Sequence, residues 1–191
     1  VAIEGYIVNE PRPEGPFVEL LGYYSIGTSI DCPVVNVEAV YHRNDPIMLG
    51  TCAGRPPHDY TYFRCPVRAA LIWDILENAG IQGVRGVWCH EVGYSRAFTV
   101  VSIKQMFAGH DRMAGHVASQ CRPGAVAGRY VVVVDDDIDP TNLEDVVWAM
   151  CTRSDPATGI DIISGTIGTP LDPIAPNDPE DDMLEYTSNR G

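Results

Sequence analysis

Two glutamates near the start of the chain, Glu14 and Glu19, flank the segment Gly15–Val18 and could carry out acid–base chemistry. Gly15 can adopt backbone angles that exclude residues with a Cβ, and Pro16 fixes its own φ, so the segment predicts a rigid bend. Such a bend can bring both carboxylates into one small volume. Neighbouring carboxylates resist simultaneous ionisation, so one can keep its proton near neutral pH and act as a general acid. The competing interpretation is a pair of solvated turn residues, and the rest of the sequence decides between the two.

The composition indicates a globular protein and argues against several classes of partner. The 191 residues are 45% hydrophobic and carry a formal net charge of -13. That length suits one sizeable domain or two small ones. Basic residues are few and scattered, so we expect no nucleic acid partner. We see no signal peptide, and no apolar run approaches the roughly 20 residues that span a bilayer, which favours a cytoplasmic protein without a membrane partner.

Neither the cysteines nor the other potential ligands predict a metal site. The six cysteines include no CxxC pair and show no regular spacing, so we interpret them as reduced thiols. Four aspartates, at positions 135, 136, 137 and 139, could hold Mg²⁺. Helix capping and turn formation explain them better, because no glycine-rich phosphate loop accompanies them. His110 and His116 fall on roughly opposite faces of a predicted helix, so we expect no metal shared between them.

The first 60 residues have the pattern of short strands joined by loops rich in proline and glycine. Residues 1–8 read as a strand, and residues 34–42 alternate apolar and polar side chains as a half-buried strand does. We predict another strand at 19–24, directly after the bend, and a hairpin partner for 34–42 at 46–51. Together these segments predict a small barrel or curled sheet.

The remainder of the chain alternates helices and strands, which is typical of an α/β fold. Residues 129–134 form a continuous β-branched run, which predicts a central strand covered on both faces. Thr141 or Asn142 can cap the last helix. The predicted helices are 67–78, 107–121 and 143–152, and the predicted strands are 86–90, 97–103, 129–134 and 159–164. Residues 176–191 are acidic and poor in apolar side chains, so we expect a mobile tail.

Several short motifs follow one another along nearly the whole chain in a characteristic order. The motifs are Glu14–Glu19, Arg43–Ile47, Gly54–Pro57, Ser102–Gln105 with Gly109–His110, Val134–Asp139, Trp148–Met150 with Thr152–Arg153, and Pro170–Pro173. Together they resemble the UbiD-type decarboxylases, and most closely the enzymes that act on phenolic aromatic acids. Each motif alone is weak, but their order and spacing make the resemblance specific.

The resemblance implies a fold, an activity and cofactors. The implied fold is α/β (α+β), with residues 1–60 supplying the C-terminal strands of a split β-barrel of flavin-binding type and residues 61–175 forming an α/β oligomerisation domain. The implied activity is the reversible, non-oxidative decarboxylation of an aromatic, including phenolic, or α,β-unsaturated carboxylic acid. The implied cofactor is prenylated FMN, held through Mn²⁺ or Mg²⁺ and K⁺.

The resemblance also implies roles for particular residues. Glu19 corresponds to the proton donor of the family, and Glu14 to a glutamate that joins an arginine in a Glu-Arg-Glu network. A protonated carboxyl beside apolar side chains suits the donor role. Contacts with the cofactor are implied at Cys52, Ala53, Gly54 and Arg122, and contacts with the substrate at Leu20, Tyr60, Thr61, Phe63 and Leu171.

Part of the family's site has no counterpart in this sequence. The network arginine and the metal-binding residues lie upstream of Val1 in the family, so we expect a fragment or one half of a split enzyme, inactive by itself. Its expected partners are a small carboxylic acid, the N-terminal part of the same enzyme or a companion subunit, and further copies in a homo-oligomer. Two alternatives are a non-enzymatic flavin-binding split-barrel module and a structural oligomerisation domain. Neither alternative needs two converging carboxylates.

Overall fold

The first forty residues build a ribbon of two long antiparallel strands, β1 (Ala2–Glu14) and β2 (Ile30–Tyr41). The computed structural model of the chain describes residues 1–24, 30–52, 54–169 and 172. Ala2 lies opposite Tyr41, and Glu14 lies opposite Ile30. The strands approach closely at Gly5, where a Cβ would lie only 2.2 Å from the carbonyl oxygen of Asn36. Glycine is therefore required at that position.

The ribbon exposes large apolar side chains. Ile7 is 74% exposed, Ile3 64% and Val37 52%. An isolated two-stranded sheet is only marginally stable in water, and a contiguous apolar surface of this kind usually contacts another element. The ribbon therefore has the surface properties of a sheet that is covered by further structure.

The second part of the chain is a three-stranded sheet with helices on both faces. Its elements are α1 (Asp59–Asn78), β3 (Val84–Cys89), β4 (Phe98–Ile103), α2 (His110–Gln120), α3 (Arg122–Ala125), β5 (Tyr130–Asp135) and α4 (Leu143–Arg153). The strand order is β3-β4-β5, with β4 antiparallel to β3 and parallel to β5.

Alternation along β4 divides the core into two layers. Val101 faces a cluster that contains Ile72 and Leu76 of α1 and Ala114 of α2, all buried. Val100 faces the other side, where it packs in a cluster with Val146 of α4. Successive side chains of a strand point to opposite faces, so β4 contributes to both clusters.

The prediction of a central strand at 129–134 is wrong for the described part of the chain. Among the described strands β5 lies at the edge of the sheet, and Tyr130 at its start is 65% exposed. The apolar run is nevertheless covered on both faces, because Val133 packs against the α1–α2 cluster and Val134 against the α4 cluster. A continuous apolar strand thus reports covered faces and does not reveal whether the strand has two neighbours.

Three other predicted strands are absent from the described chain. Residues 19–24 form a turn, because Gly22 adopts a φ of 86° and its N–H donates to the carbonyl of Glu19. Residues 46–51 do not pair with β2, which pairs with β1 instead. Residues 159–164 are irregular, and Ile162 there is 80% exposed.

The helices agree better with the sequence predictions. α4 begins where expected, and the Asn142 side chain caps it by accepting hydrogen bonds from the N–H groups of Glu144 and Asp145. α1 begins eight residues before the predicted residue 67, at Asp59, and contains Pro66. Proline lacks an N–H and normally limits a helix, which misplaced the predicted start.

Some sequence predictions concern residues outside the described part of the chain. These are the cofactor contact at Ala53, the substrate contact at Leu171 and the tail at 176–191. Within the described part, no helix combines the length and the apolar character needed to cross a bilayer.

Candidate functional site

The bend after β1 holds the first of the two candidate glutamates. Gly15 has a φ of 97°, in the region that favours glycine, and the Gly15–Pro16 peptide bond is cis. Glu14 is exposed, and its Oε2 accepts a hydrogen bond from the Cys32 thiol at 3.0 Å. This hydrogen bond is the largest cause that raises the pKa of Cys32 above its ordinary value.

The second glutamate begins a tight turn. The Glu19 N–H donates to the carbonyl of Tyr23 at 3.0 Å, and the Glu19 carbonyl accepts from the Gly22 N–H at 2.9 Å. These two bonds fix the backbone of the residue, whose side chain is half-buried. The two carboxylates therefore have different surroundings, and no hydrogen bond joins them in the described structure.

The Glu19 turn rests on the loop that precedes α1. A Cβ at Gly22 would lie 2.6 Å from the Arg55 Cα, so the two backbones are in close contact. The His58 Nε2 lies 3.3 Å from the carbonyl oxygen of Leu20, within hydrogen-bonding distance. The turn that carries Glu19 is thus tied to the start of α1 by one packing contact and one polar contact.

Two of the predicted substrate residues, Tyr60 and Thr61, lie at the start of α1 in different surroundings. Thr61 is fully buried, and its hydroxyl donates to the His58 carbonyl at 2.7 Å while accepting from the His58 N–H at 2.9 Å. Thr61 therefore serves as part of the helix cap. Tyr60 is half-buried, with its ring stacked beside His58 at 6.2 Å and the Arg64 guanidinium 4.5 Å from the ring centroid.

The remaining predicted site residues lie at the surface around this junction. Phe63 is 67% exposed, Cys52 and Arg122 are exposed, and Leu20 and Gly54 are half-buried. A Cβ added at Gly54 would meet no atom within 4 Å, so this loop borders open space. The structure brings Leu20 together with His58, next to Tyr60 and Thr61. Among the described residues, Glu14, Arg122 and Phe63 make no observed direct contact with that group.

The aspartates after β5 form ion pairs and caps. Arg153 of α4 binds Asp135 at 2.9 Å and Asp137 at 2.7 Å. Its hydrogen bond is the largest cause that holds the pKa of Asp137 below the ordinary carboxyl value. Asp139 accepts from both the N–H and the hydroxyl of Thr141. These contacts match the capping and turn interpretation.

No metal-binding cluster appears in the described ranges. Nowhere in those ranges do three or more histidine, cysteine, aspartate or glutamate side chains group so that they could hold a metal ion. His110 is buried, and its Nδ1 accepts from the Met106 N–H, whereas His116 is exposed and lies 3.3 Å from Asp161. The two histidines occupy different environments, as their spacing predicts.

One group of side chains was missed by the sequence analysis. Arg68 of α1 and Arg96 of the turn between β3 and β4 donate to the carbonyls of Pro123 and Val126, at the two ends of α3. Arg64, one helical turn before Arg68, lies over the Tyr60 ring. The spacing of Arg64 and Arg68, one helical turn apart, was the only signal in the sequence. Arg96 could not be joined to them without the fold.

Comparison with known proteins gives consistent matches over both parts of the chain. A family model described as 3-octaprenyl-4-hydroxybenzoate carboxy-lyase C-terminal domain matches residues 61–187, and one described as the Rift-related domain of the same carboxy-lyase matches residues 1–56. The chain is 33% identical over 177 residues to a phenolic acid decarboxylase of Bacillus subtilis, and 30% identical over 176 residues to one of Sedimentibacter hydroxybenzoicus. These alignments cover 91% of the chain in both cases, but only 36% and 35% of the relatives.

Solved structures show the same fold. The UbiD-class enzyme HmfF from Pelotomaculum thermopropionicum, in complex with FMN, matches with a TM-score of 0.77 and 28% identity, over 98% of this chain and 38% of that one. The vanillic acid decarboxylase of Sedimentibacter hydroxybenzoicus, in its open form, matches with a TM-score of 0.76 and 25% identity, also over 98% and 38%. The chain thus spans little more than a third of the length of these proteins.

Proposed function

Because the chain belongs to the UbiD family of carboxy-lyases, we propose that it supplies the proton-donating segment of a non-oxidative decarboxylase of aromatic acids, phenolic acids in particular. The observation that carries this proposal is the turn at Glu19, which contacts the loop and first residues of α1 and carries a half-buried glutamate. The reaction is reversible in this proposal, since a group that delivers a proton to carbon can also remove it. α,β-Unsaturated acids are the second substrate class.

The surroundings of the two glutamates support different roles. Glu19 is half-buried and fixed through its backbone, whereas Glu14 is exposed and accepts a hydrogen bond from the Cys32 thiol. A proton donor to carbon must be positioned and shielded from bulk water, which favours Glu19. Glu14 would then position Glu19 through an arginine supplied from outside this chain.

The chain offers surfaces that fit part of a flavin site. Prenylated FMN, when bound, supplies the electron sink for the pair left by departing CO₂. The backbone at Gly54 borders open space that a flat group could occupy, and Tyr60 lies at the adjoining helix start. Cys52, Ala53 and Arg122 are the other proposed contacts. No cluster within the described ranges suits Mn²⁺, Mg²⁺ or K⁺, so their ligands are proposed to come from the rest of the enzyme.

The exposed ribbon supports a partner in the same assembly. Apolar side chains on β1 and β2, such as Ile3 and Ile7, need cover, which further strands of a split barrel would provide. We therefore propose that the N-terminal part of the enzyme, or a companion subunit, packs on the ribbon. Residues 61–175 would make the contacts of a homo-oligomer.

The test of this function is the variant Glu19→Gln in the complete enzyme. Glutamine keeps the size and most hydrogen bonds but cannot deliver the proton, so decarboxylation of a phenolic acid should fall by at least ~10²-fold. Flavin absorbance should stay unchanged, because the proposed flavin contacts are elsewhere. Glu10→Gln, an exposed glutamate on β1, is the matched control and should keep full activity.

Near-normal turnover by Glu19→Gln would remove the donor assignment. Loss of activity accompanied by loss of flavin would instead indicate that the side chain supports cofactor binding. A protein that binds flavin but turns over no carboxylic acid in either form would be a binding module.

A further inference from the structure

Cys32 lies beside Glu14 on one face of the ribbon. The register of β1 and β2 places Cys32 opposite Arg12, and Glu14 follows Arg12 by two positions. Residues two positions apart on a strand point to the same face, and a diagonal neighbour on the paired strand is within reach. In this placement the Cys32 thiol donates a hydrogen bond to the Glu14 Oε2, with 3.0 Å between sulfur and oxygen. The contact therefore joins the two strands where β1 leads into the bend at Gly15.

The surroundings of Cys32 keep the proton on its sulfur. The hydrogen bond to Glu14, followed by partial burial and by the charges of Glu14 and Asp31, raises the pKa of the thiol above its ordinary value. A thiolate at this position would face two negative charges and would have no hydrogen to donate. Cys32 is also half-buried, whereas Cys52 and Cys151 are exposed. Cys32 is therefore a hydrogen-bond donor at neutral pH and a poor nucleophile.

The contact occupies one carboxylate oxygen of Glu14 and leaves the other available. Within the described ranges, the Cys32 thiol is the only side chain that donates to Glu14. Glu14 is exposed, and a glutamate side chain loses conformational entropy when it is held in one orientation. A hydrogen bond that selects this orientation in advance reduces the entropy cost that a later partner must offset. The Cys32 thiol thus prepares the Oε1 of Glu14 to accept a further donor.

We propose that Cys32 is a positioning residue for the decarboxylation, because its thiol orients Glu14 toward the arginine that links Glu14 to Glu19. This inference rests on the function proposed above, in which that arginine comes from outside this chain. A neutral donor suits the task, since it leaves the negative charge of Glu14 available to the arginine, whereas a cationic side chain would itself pair with the carboxylate. A hydroxyl can replace the thiol as a donor, and a methyl group cannot. The difference between those two replacements provides the test.

The first measurement detects the hydrogen bond by infrared spectroscopy of the complete enzyme. The S–H stretching band moves to lower frequency when a thiol donates a hydrogen bond, and subtracting the spectrum of Cys32→Ser from that of the wild type isolates the band of Cys32. The same subtraction in the background of Glu14→Gln should place the band at higher frequency, because an amide oxygen is a weaker acceptor than a carboxylate. Glu10→Gln, at an exposed position of β1, is the matched control and should leave the band unchanged.

The second measurement is the steady-state decarboxylation of a phenolic acid by the complete enzyme. Cys32→Ala should lower kcat by about 10-fold or more, as expected for the loss of a hydrogen bond to a charged group, with little change in KM. Cys32→Ser keeps a donor and should recover most of the activity. Adding Cys32→Ala to Glu14→Gln should lower kcat no further, because Cys32 acts through Glu14. Cys151→Ala, at an exposed position of α4, is the matched control.

Flavin absorbance and thermal unfolding of each variant check that it is loaded and folded. A band shift that requires Glu14, together with a loss of kcat that Cys32→Ser reverses, supports the proposal. Equal kcat in the wild type and Cys32→Ala, equal losses in Cys32→Ala and Cys32→Ser, or additive losses in the double variant overturn it while leaving the function proposed above intact. A wild-type enzyme that decarboxylates no phenolic acid overturns that function, and this inference with it.

Discussion

Individual carboxylates in this chain have very different surroundings. Asp172 is buried and forms an ion pair with Arg129, whereas Asp137 is exposed and pairs with Arg153. Glu14 accepts a hydrogen bond from the Cys32 thiol, and Glu19 lies in a tight turn. The chemistry of each acid therefore follows from its contacts. The number of acidic residues in a segment of sequence gives no such information. The aspartates after β5 are structural because they pair with Arg153 or accept from Thr141.

Arg153→Gln should raise the pKa of Asp137, because Arg153 is the main cause of its depression. A depressed pKa contributes stability above the unfolded value of about 3.9, and that stability is lost as the pH falls through the folded value. A pH titration followed by NMR should show Asp137 titrating at higher pH in the variant. Arg112→Gln, which removes another paired arginine, should leave the Asp137 curve unchanged. Identical Asp137 curves in the wild type and Arg153→Gln would contradict the assignment.

At the scale of elements, α1 is stabilised by its buried side. Leu76 is fully buried in the core cluster, whereas Leu71 on the same helix is 51% exposed. Leu76→Ala should lower the free energy of unfolding by about 2–5 kcal/mol, through lost burial and a residual cavity. Leu71→Ala is the matched control and should change it by about 0.5 kcal/mol or less. Denaturant titration measures both, and equal losses would show that the burial pattern of α1 is wrong.

The Glu19 turn depends on a glycine. Gly22→Ala places a Cβ 2.6 Å from the Arg55 backbone, at a φ of 86°. The backbone conformation alone should cost about 1–3 kcal/mol, and displacement of the turn should lower the activity of the complete enzyme. Gly50→Ala, where a Cβ would meet nothing within 4 Å, should have little effect on either property. An active, fully stable Gly22→Ala protein would show that the contact with Arg55 does not position Glu19.

The elements that the sequence predicted correctly are those with local signals. α4 has a side-chain cap at Asn142, and β4 has an apolar run that its neighbours bury. The edge position of β5 was not predictable, because an edge strand covered on both faces has the same pattern as a central one. The strand expected at 19–24 failed because the conformation of Gly22 depends on a contact with a distant loop.

The candidate site was predictable only in part, for a similar reason. The bend at Gly15 has a local signal in Gly15 and Pro16, so the sequence predicted it. The roles of Glu14 and Glu19 stay predictions. The sequence did not reveal that Thr61 caps α1 through its hydrogen bonds with His58. The substrate contact at Thr61 stays a prediction. Arg68 and Arg96 come from different elements and meet at the α3 segment, which their spacing in the sequence does not reveal.

At the scale of the whole molecule, the two parts of the chain differ in how completely they are covered. The α/β unit buries residues such as Ile72 and Val100 completely, whereas Ile3 and Ile7 of the ribbon are largely exposed. The α/β unit therefore has a core of its own, and the ribbon depends on additional structure. This asymmetry agrees with a chain that spans little more than a third of its relatives.

These 191 residues by themselves should neither retain prenylated FMN nor decarboxylate a phenolic acid, whatever metal is supplied. A flavin phosphate and its cation need converging ligands, and the described ranges contain no metal-binding cluster. Glu14 also lacks a paired arginine there. Adding the proposed N-terminal part of the enzyme should restore both flavin binding and turnover, because in the proposed assembly it would cover the ribbon and supply the missing ligands. Absorbance and mass spectrometry of the purified chain test this, and stoichiometric flavin in the isolated chain would show that the cofactor site lies within it.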